Sequence, residues 1–236
     1  MNTTQATVGD IVREDFRAAA VFEHHGIDFC CGGGDSLSEA CAARGVSPAE
    51  LLAELEAIRA AGSGVAGDFY ERMSLPLLIE HILETHHGYL RRTMPPLTAW
   101  SAKVASAHGE RHPETVRLAA VVAALCAELE QHMFKEERIL FPAIVAQSEV
   151  RADRPPFGFG SIGNPIAMME HEHRDAGAAL EELRTISGGF AVPSDACATY
   201  TALYRELEVF EKDLHMHIHL ENNILFPRAL RNEAGA

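Results

Sequence analysis

Basic charge is scarce in this sequence. Its 20 Lys and Arg are set against 34 Asp and Glu, a formal net charge of −14. Nucleic acids and anionic membranes are recognised through basic surfaces, so both partner classes are disfavoured. Long apolar runs are missing as well. The longest, residues 118–127, falls far short of the roughly 20 residues that span a bilayer. The first fifteen residues carry an acidic Asp10 and no apolar core, which is unlike a signal peptide. The cysteines Cys30, Cys31, Cys41, Cys126 and Cys197 are odd in number and irregular in spacing, so they do not form a disulfide framework. A reduced, cytoplasmic setting is expected. Strand-like alternation of any length is also lacking, which predicts an all-α fold.

Histidine is plentiful, and part of it is written twice. His132 opens a stretch ending Ile139-Leu140-Phe141-Pro142, with Glu136 at its fifth position. The same pattern, HxxxExxILFP, recurs 85 positions later from His217 through Glu221 to Ile224-Leu225-Phe226-Pro227. Each of the six shared positions would match by chance about one time in twenty. A His and a Glu four apart on a helix differ by about 40° in azimuth and about 6 Å along the axis, so they can reach one ion together. The repeat extends upstream: His87 lies 45 positions before His132, and His173 lies 44 before His217. Two facing helix pairs would therefore supply four imidazoles and two carboxylates to a shared pocket. A single HxxxE is more often a polar i,i+4 pair; duplication is what points to metal. A mixed N/O set with shared carboxylates is the habit of non-haem di-iron and di-manganese sites in bundles. Each metal would take two histidines and a share of both glutamates, with positions left open. A structural zinc site would be closed and usually contain Cys, and neither motif does.

The glycine-rich stretch 61–68 predicts a linker between a small helical domain, residues 1–60, and a larger one, residues 69–236. Within the first, residues 10–25 have rough helical periodicity, and the glycines after Cys30-Cys31 make a break that leaves both sulfurs accessible. Ser36–Glu39 and Ser47–Glu50 have the spacing of capping boxes. A module this small is marginal alone and is expected to dock on something. The larger domain predicts four long helices. The first covers residues 74–94 and is stopped by Pro95-Pro96. The second covers 113–146, the third begins at a cap at Asn164-Pro165 and ends near 187, and the fourth covers 195–232. Pro142 and Pro227 should kink or thin the later parts of the second and fourth. Residues 151–163 form a connecting loop. The result is a four-helix up-down-up-down bundle.

Four pieces carry a family resemblance. They are Asp28-Phe29-Cys30-Cys31-Gly32-Gly33; the repeat from His132 to Pro142; Met169-Glu170-x-Glu172-His173-x-x-Ala176-Gly177; and Leu220-Glu221-Asn222-Asn223-x-Leu225-Phe226-Pro227-Arg228. Over nearly its whole length the chain resembles the iron–sulfur cluster repair di-iron proteins, the RIC family of ScdA/YtfE type, which join a Cys-Cys-Gly-Gly domain to a hemerythrin-like one. The resemblance implies two non-haem iron ions, carboxylate-bridged and open to an oxo bridge. It implies terminal ligands His87, His132, His173 and His217, with bridging Glu136 and Glu221. His87 is preferred over the adjacent His86, and His108 matches a family histidine in a second-sphere or gating role. His171, His215 and His219 are expected at surface or access-route positions. Cys41, Cys126 and Cys197 are expected in the core, as is Ile-Leu-Phe after each repeat. Oxygen-carrying hemerythrins have a further histidine where Gly177 stands, so simple oxygen carriage is less favoured. The implied function is repair of clusters damaged by nitric oxide or peroxide, with iron released from the centre. Cys30 and Cys31 would receive iron, exchange redox equivalents or dock damaged iron–sulfur proteins. A nitric oxide reductase, or a module that senses or binds oxygen or nitric oxide, remains an alternative. A homodimer through the N-terminal module is compatible with its small size.

Overall fold

The computed structural model describes residues 6–61, 68–148, 158 and 160–234. Among them regular structure is helical, apart from an isolated bridge between Thr7 and Ser36. The expected linker (mostly residues 62–67) and most of the expected 151–163 loop lie outside the described residues. The chain divides into two compact units, Met1–Ile79 with Gln147–Arg154 and His215–Ala236, and Glu80–Ala146 with Pro155–Leu214. No described helix is long and apolar enough to cross a membrane.

The first unit contains α1 (Val8–Glu14), α2 (Ala18–His24), α3 (Leu37–Arg44), α4 (Pro48–Ala60) and α5 (Asp68–Arg72). The single helix expected over residues 10–25 is broken at Asp15. Its backbone is extended and its carboxylate accepts from the Arg17 N–H and guanidinium, a local bond that competes with the helix. Ser36 and Glu39 form the reciprocal capping box. Ser47 does not: it caps α4 without a side-chain bond, with Pro48 at the first helical position. The small module is not left alone. Val8, Ile11, Val12, Phe22 and Phe29 are buried, and α1 packs on the turn Glu221–Leu225 of the C-terminal segment.

The second unit is built from long helices: α7 (Gly88–His108), α8 (Glu114–Lys135), α10 (Gly163–Ile186) and most of α11 (Ala198–Leu220). α6 (Leu75–His81) leads into it, α9 (Phe141–Ser148) follows α8, and α12 (Phe226–Ala234) ends the chain in the first unit. Each long helix has an apolar stripe at three- and four-residue intervals. On α7 it is Leu90, Met94, Leu97, Ser101 and Val104; on α10 it is Ile166, Met169, His173, Ala176, Leu180 and Leu183, all buried. The α7 stripe explains why Pro95-Pro96 does not stop the helix as expected. Both prolines lie inside α7, where packing on α8 outweighs two missing N–H donors. Asn164 is not the cap of α10 either; Ile162 is, and Asn164-Pro165 lies in the first turn.

Pro142 and Pro227 each follow a wider turn of the helix. Residues Glu136–Leu140 and Glu221–Leu225 form π-helical turns, in which the Phe141 N–H donates to the Glu136 carbonyl and the Phe226 N–H to that of Glu221. A third π-turn covers Ile82–His87. Each repeat proline follows the phenylalanine that closes its turn, where it has no N–H to resume the ordinary ladder.

Between α7 and α8, His112 lies 3.0 Å from Asp195 and 3.1 Å from Glu114. The Asp195 bond raises its pKa above the ordinary 6.5, with Glu114 adding to it against desolvation. This charge therefore favours the fold fully below about 6.5, and the contribution fades as pH rises through the elevated value. NMR titration should place His112 above 6.5, and Asp195→Asn should lower it. An unmoved His112 would mean that Asp195 does not set its charge.

Candidate metal centre

The three π-turns mark the candidate ligands. His87 is the last residue of the first turn, Glu136 the first of the second, and Glu221 the first of the third. π-Turns inside helices are frequent at functional sites, where the extra residue re-aims side chains. The histidines fall on core stripes: His132 follows buried Leu129 on α8, and His173 lies between Met169 and Ala176 on α10. Sequence that would otherwise be apolar core thus places imidazoles inward.

In the second unit, His87, His132, Glu136 and His173 are all buried. The Nε2 atoms of His87 and His132 lie 3.3 and 3.4 Å from the same Glu136 oxygen, Oε2. His173 Nε2 is 3.0 Å from His132 Nε2. The outer ring nitrogens meet carboxylates: His87 Nδ1 is 2.7 Å from Glu137, which Arg91 also binds, and His132 Nδ1 is 2.9 Å from Glu172, which Lys135 also binds. An Nδ1 proton donated to a carboxylate leaves the Nε2 lone pair pointing inward, the arrangement typical of metal-bound imidazole. Burial opposes ionisation of Glu137, but His87 and Arg91 hold it below the usual carboxylate range. Glu172 is lowered to about 2, chiefly by His132 and then, against burial, by Lys135. Imidazole lone pairs converging on a carboxylate in a dry space repel one another unless a cation lies between them, so the donor set fits a metal ion. A cleft of about 380 Å³ between α8 and α10, bordered by Leu125, Leu129, His132, Glu172 and His173, gives access from one side.

The first unit carries the other half of the repeat. His217 Nε2 lies 3.1 Å from Glu221 Oε1, both buried. The neighbouring histidines depart from expectation. His219 is fully buried against Phe16 and Phe29, and burial lowers its pKa to about 4. His215 is half-buried, facing Glu23 and Phe29. Asn222 and Asn223 donate to the Cys30 carbonyl at 3.3 and 3.2 Å. A Cβ at Gly33 would lie 2.9 Å from the Phe29 carbonyl oxygen and 2.4 Å from Asn223 Oδ1, so a larger residue there would force the turn to shift.

Cys30 and Cys31 are not disulfide-bonded, and their sulfurs are 3.9 Å apart. Cys30 is buried and Cys31 half-buried, so the expected exposure of both sulfurs is corrected for Cys30. The contact with Cys31, then burial, push the Cys30 thiol well up. Asp28 Oδ1 accepts from the N–H groups of Cys30 and Cys31 at 3.0 and 2.9 Å, fixing the turn.

His108 is not in the second sphere. It lies 21 residues beyond His87, at the far end of the helix that continues from it, roughly 30 Å along the axis. There its Nε2 is 3.2 Å from Cys197 Sγ and its ring packs on Tyr200. Cys197 precedes α11 and is exposed, and Ile139 is exposed too, so neither is core. The groups behind the imidazoles are Glu137 and Glu172, which sequence reasoning left without a role. Their signal was adjacency: each is a charged residue one position from a candidate ligand.

Glu172→Gln keeps the shape and removes the charge behind His132. Metal affinity should fall about 10–100-fold with the fold intact, measured by competition with a chelator. Unchanged affinity would mean that Glu172 is only a surface partner of Lys135.

Residues 4–59 match the ScdA N-terminal domain, a Domain of Unknown function (DUF542), and residues 78–229 match the Hemerythrin HHE cation binding domain. The chain is 38% identical over 235 residues to the iron-sulfur cluster repair protein YtfE of Musicola paradisiaca, covering 99% of this chain and 100% of that one. It is 39% identical over 230 residues to the protein of that name from Pectobacterium atrosepticum, covering 96% and 97%. The Yersinia pestis (strain Pestoides F) protein is 38% identical over 218 residues, covering 92% and 93%.

Proposed function

Because this chain belongs to the iron–sulfur cluster repair family, with an ScdA-type N-terminal domain and a hemerythrin HHE domain, we propose that it restores iron–sulfur clusters damaged by nitric oxide or peroxide, releasing iron from a two-iron centre. The observation that carries this reading is the convergence of the His87 and His132 Nε2 atoms on one Glu136 oxygen, with a carboxylate behind each ring. His87, His132, His173 and His217 are the proposed terminal ligands, and Glu136 and Glu221 the shared carboxylates. The duplicated sequence then gives each iron two imidazoles. Iron held there is the cargo that a damaged cluster lacks. Residues 1–60 would act as the delivering domain and 69–236 as the iron-holding one.

The chain's own groups suit holding iron and letting it go. Glu137 and Glu172 keep Nδ1 of their imidazoles protonated and Nε2 available. A carboxylate holds metal only while deprotonated, so a proton delivered to Glu136 or Glu221 loosens the ion. Cys30 and Cys31 stand beside Asn222 and Asn223, immediately after Glu221 in sequence, where thiols can take iron or meet a client.

The test is recovery of an enzyme whose [4Fe–4S] cluster has been damaged with nitric oxide or peroxide, after addition of the iron-loaded chain. Recovery is expected from the wild type and should slow in the Cys30→Ser/Cys31→Ser variant at equal iron content. No recovery from the wild type would overturn the function; full recovery from the variant would overturn the thiol role alone.

A further inference from the structure

The turn at Asp28 brings three further ligand-type atoms together. Asp28, Cys30 and Cys31 each present one donor atom, all within 4.8 Å of one another. The carboxylate of Asp28 is 3.2 Å from Cys30 Sγ. The cluster is held from two sides. Asp28 Oδ1 takes the two cysteine N–H groups, while Asn222 and Asn223 hold the Cys30 carbonyl. A carboxylate has about four acceptor sites, so Asp28 can fix the turn and still ligate. The donors grade from exposed Asp28 through half-buried Cys31 to buried Cys30, leaving the cluster open to solvent on one side. An open side suits exchange rather than permanent storage.

We propose that Asp28, Cys30 and Cys31 form a second, exchangeable cation site for one thiophilic divalent ion, through which iron leaves the centre. Two thiolates and a carboxylate select ions such as ferrous iron, cobalt or zinc over magnesium or calcium. On binding, both S–H bonds give up their protons to solvent and two S–metal bonds form. Nothing is oxidised or reduced, and three anionic donors around a dication leave one net negative charge. The location suits a relay, because the asparagines that hold the Cys30 carbonyl directly follow Glu221.

The relay rests on the repair reading above; the cation site does not. Full-length protein with its His/Glu centre loaded with iron is titrated anaerobically with cobalt(II). One further equivalent should bind with thiolate-to-cobalt charge-transfer absorption. The band should vanish in Cys30→Ser/Cys31→Ser. In Asp28→Asn, which retains a side-chain oxygen for the turn, cobalt affinity should fall on the order of ten-fold or more. Iron held in the His/Glu centre, measured after exchangeable metal is washed out, should be the same in both variants. No thiolate band in the wild type, a band surviving loss of both cysteines, or unchanged affinity in Asp28→Asn would overturn the site. In the cluster-recovery assay Asp28→Asn should slow recovery, and unchanged recovery would overturn the relay. Normal cobalt binding with no recovery by wild type would strike the repair reading and leave the site standing.

Discussion

Glu136→Ala and Glu221→Ala should each cost the chain metal, because each carboxylate is proposed to be shared by both ions. Glu136 is buried, and its Oε2 faces two imidazoles at 3.3 and 3.4 Å. Glu137 and Glu172 cannot replace it, because they sit on the outer nitrogens of the same rings. The loss should exceed the roughly 100-fold that outer partners can cost. Metal analysis and the electronic spectrum of anaerobically purified protein test it directly: about two irons per chain in the wild type, and far fewer in either variant. Stability adds a second readout. Bound metal stabilises by about 4 kcal/mol when free ion is near a thousand times the dissociation constant, so each loaded variant should melt below loaded wild type. Without metal the order should narrow or reverse, because alanine removes a buried carboxylate that is costly to desolvate. Wild-type iron content in both variants, or one zinc indifferent to both changes, would mean that the duplicated motif is scaffold.

The imidazole positions were legible in the sequence because ligand and core share one periodicity. His132 and His173 continue stripes whose other members are mostly apolar, among them Leu125, Leu129, Ile166, Met169 and Leu180. The π-turns were not legible, because a one-residue widening leaves the local pattern intact and shows only as a change of azimuth. The proline rule misled at Pro95-Pro96, which a buried stripe overruled, while Pro142 and Pro227 follow turns that closed five residues back. Periodicity also treats charge as solvent-facing, which hid Glu137 and Glu172 behind buried rings. His219 and Cys30 were misjudged for a different reason. Each was weighed on its own segment, yet each is covered by the other's: Phe29 packs on His219, and Asn223 holds the Cys30 carbonyl. Such pairings join residues some 190 positions apart, and nothing in local pattern specifies them. Packing likewise assigns residues 215–236 to the unit of the N-terminal module, whereas the glycine stretch suggested a boundary drawn along the chain.

Arg184→Ala should be strongly destabilising although it lies away from the centre. Arg184 on α10 reaches Glu211 on α11 through Nε at 2.9 and 3.1 Å and through Nη2, and its guanidinium lies over the Phe190 ring. Glu211 is buried, whereas Arg184 is partly exposed. Truncating the arginine therefore leaves a carboxylate facing protein instead of water. Breaking a buried pair from one side costs about 3–5 kcal/mol; the exposed arginine lets water approach, so the lower end, about 3 kcal/mol, is expected. Replacing both partners with apolar residues, as in Arg184→Met/Glu211→Leu, should recover most of the loss, because the stranded charge is gone. Urea midpoints of the three proteins decide it. A cost below about 1 kcal/mol for Arg184→Ala would class the bond with surface ion pairs. The consequence reaches the site through α11, since Asp213, two residues beyond Glu211, lies 3.0 Å from His86 Nδ1. That contact fixes the residue beside ligand candidate His87. A loosened α10–α11 packing should therefore also weaken metal retention in Arg184→Ala, and the double variant should restore both together.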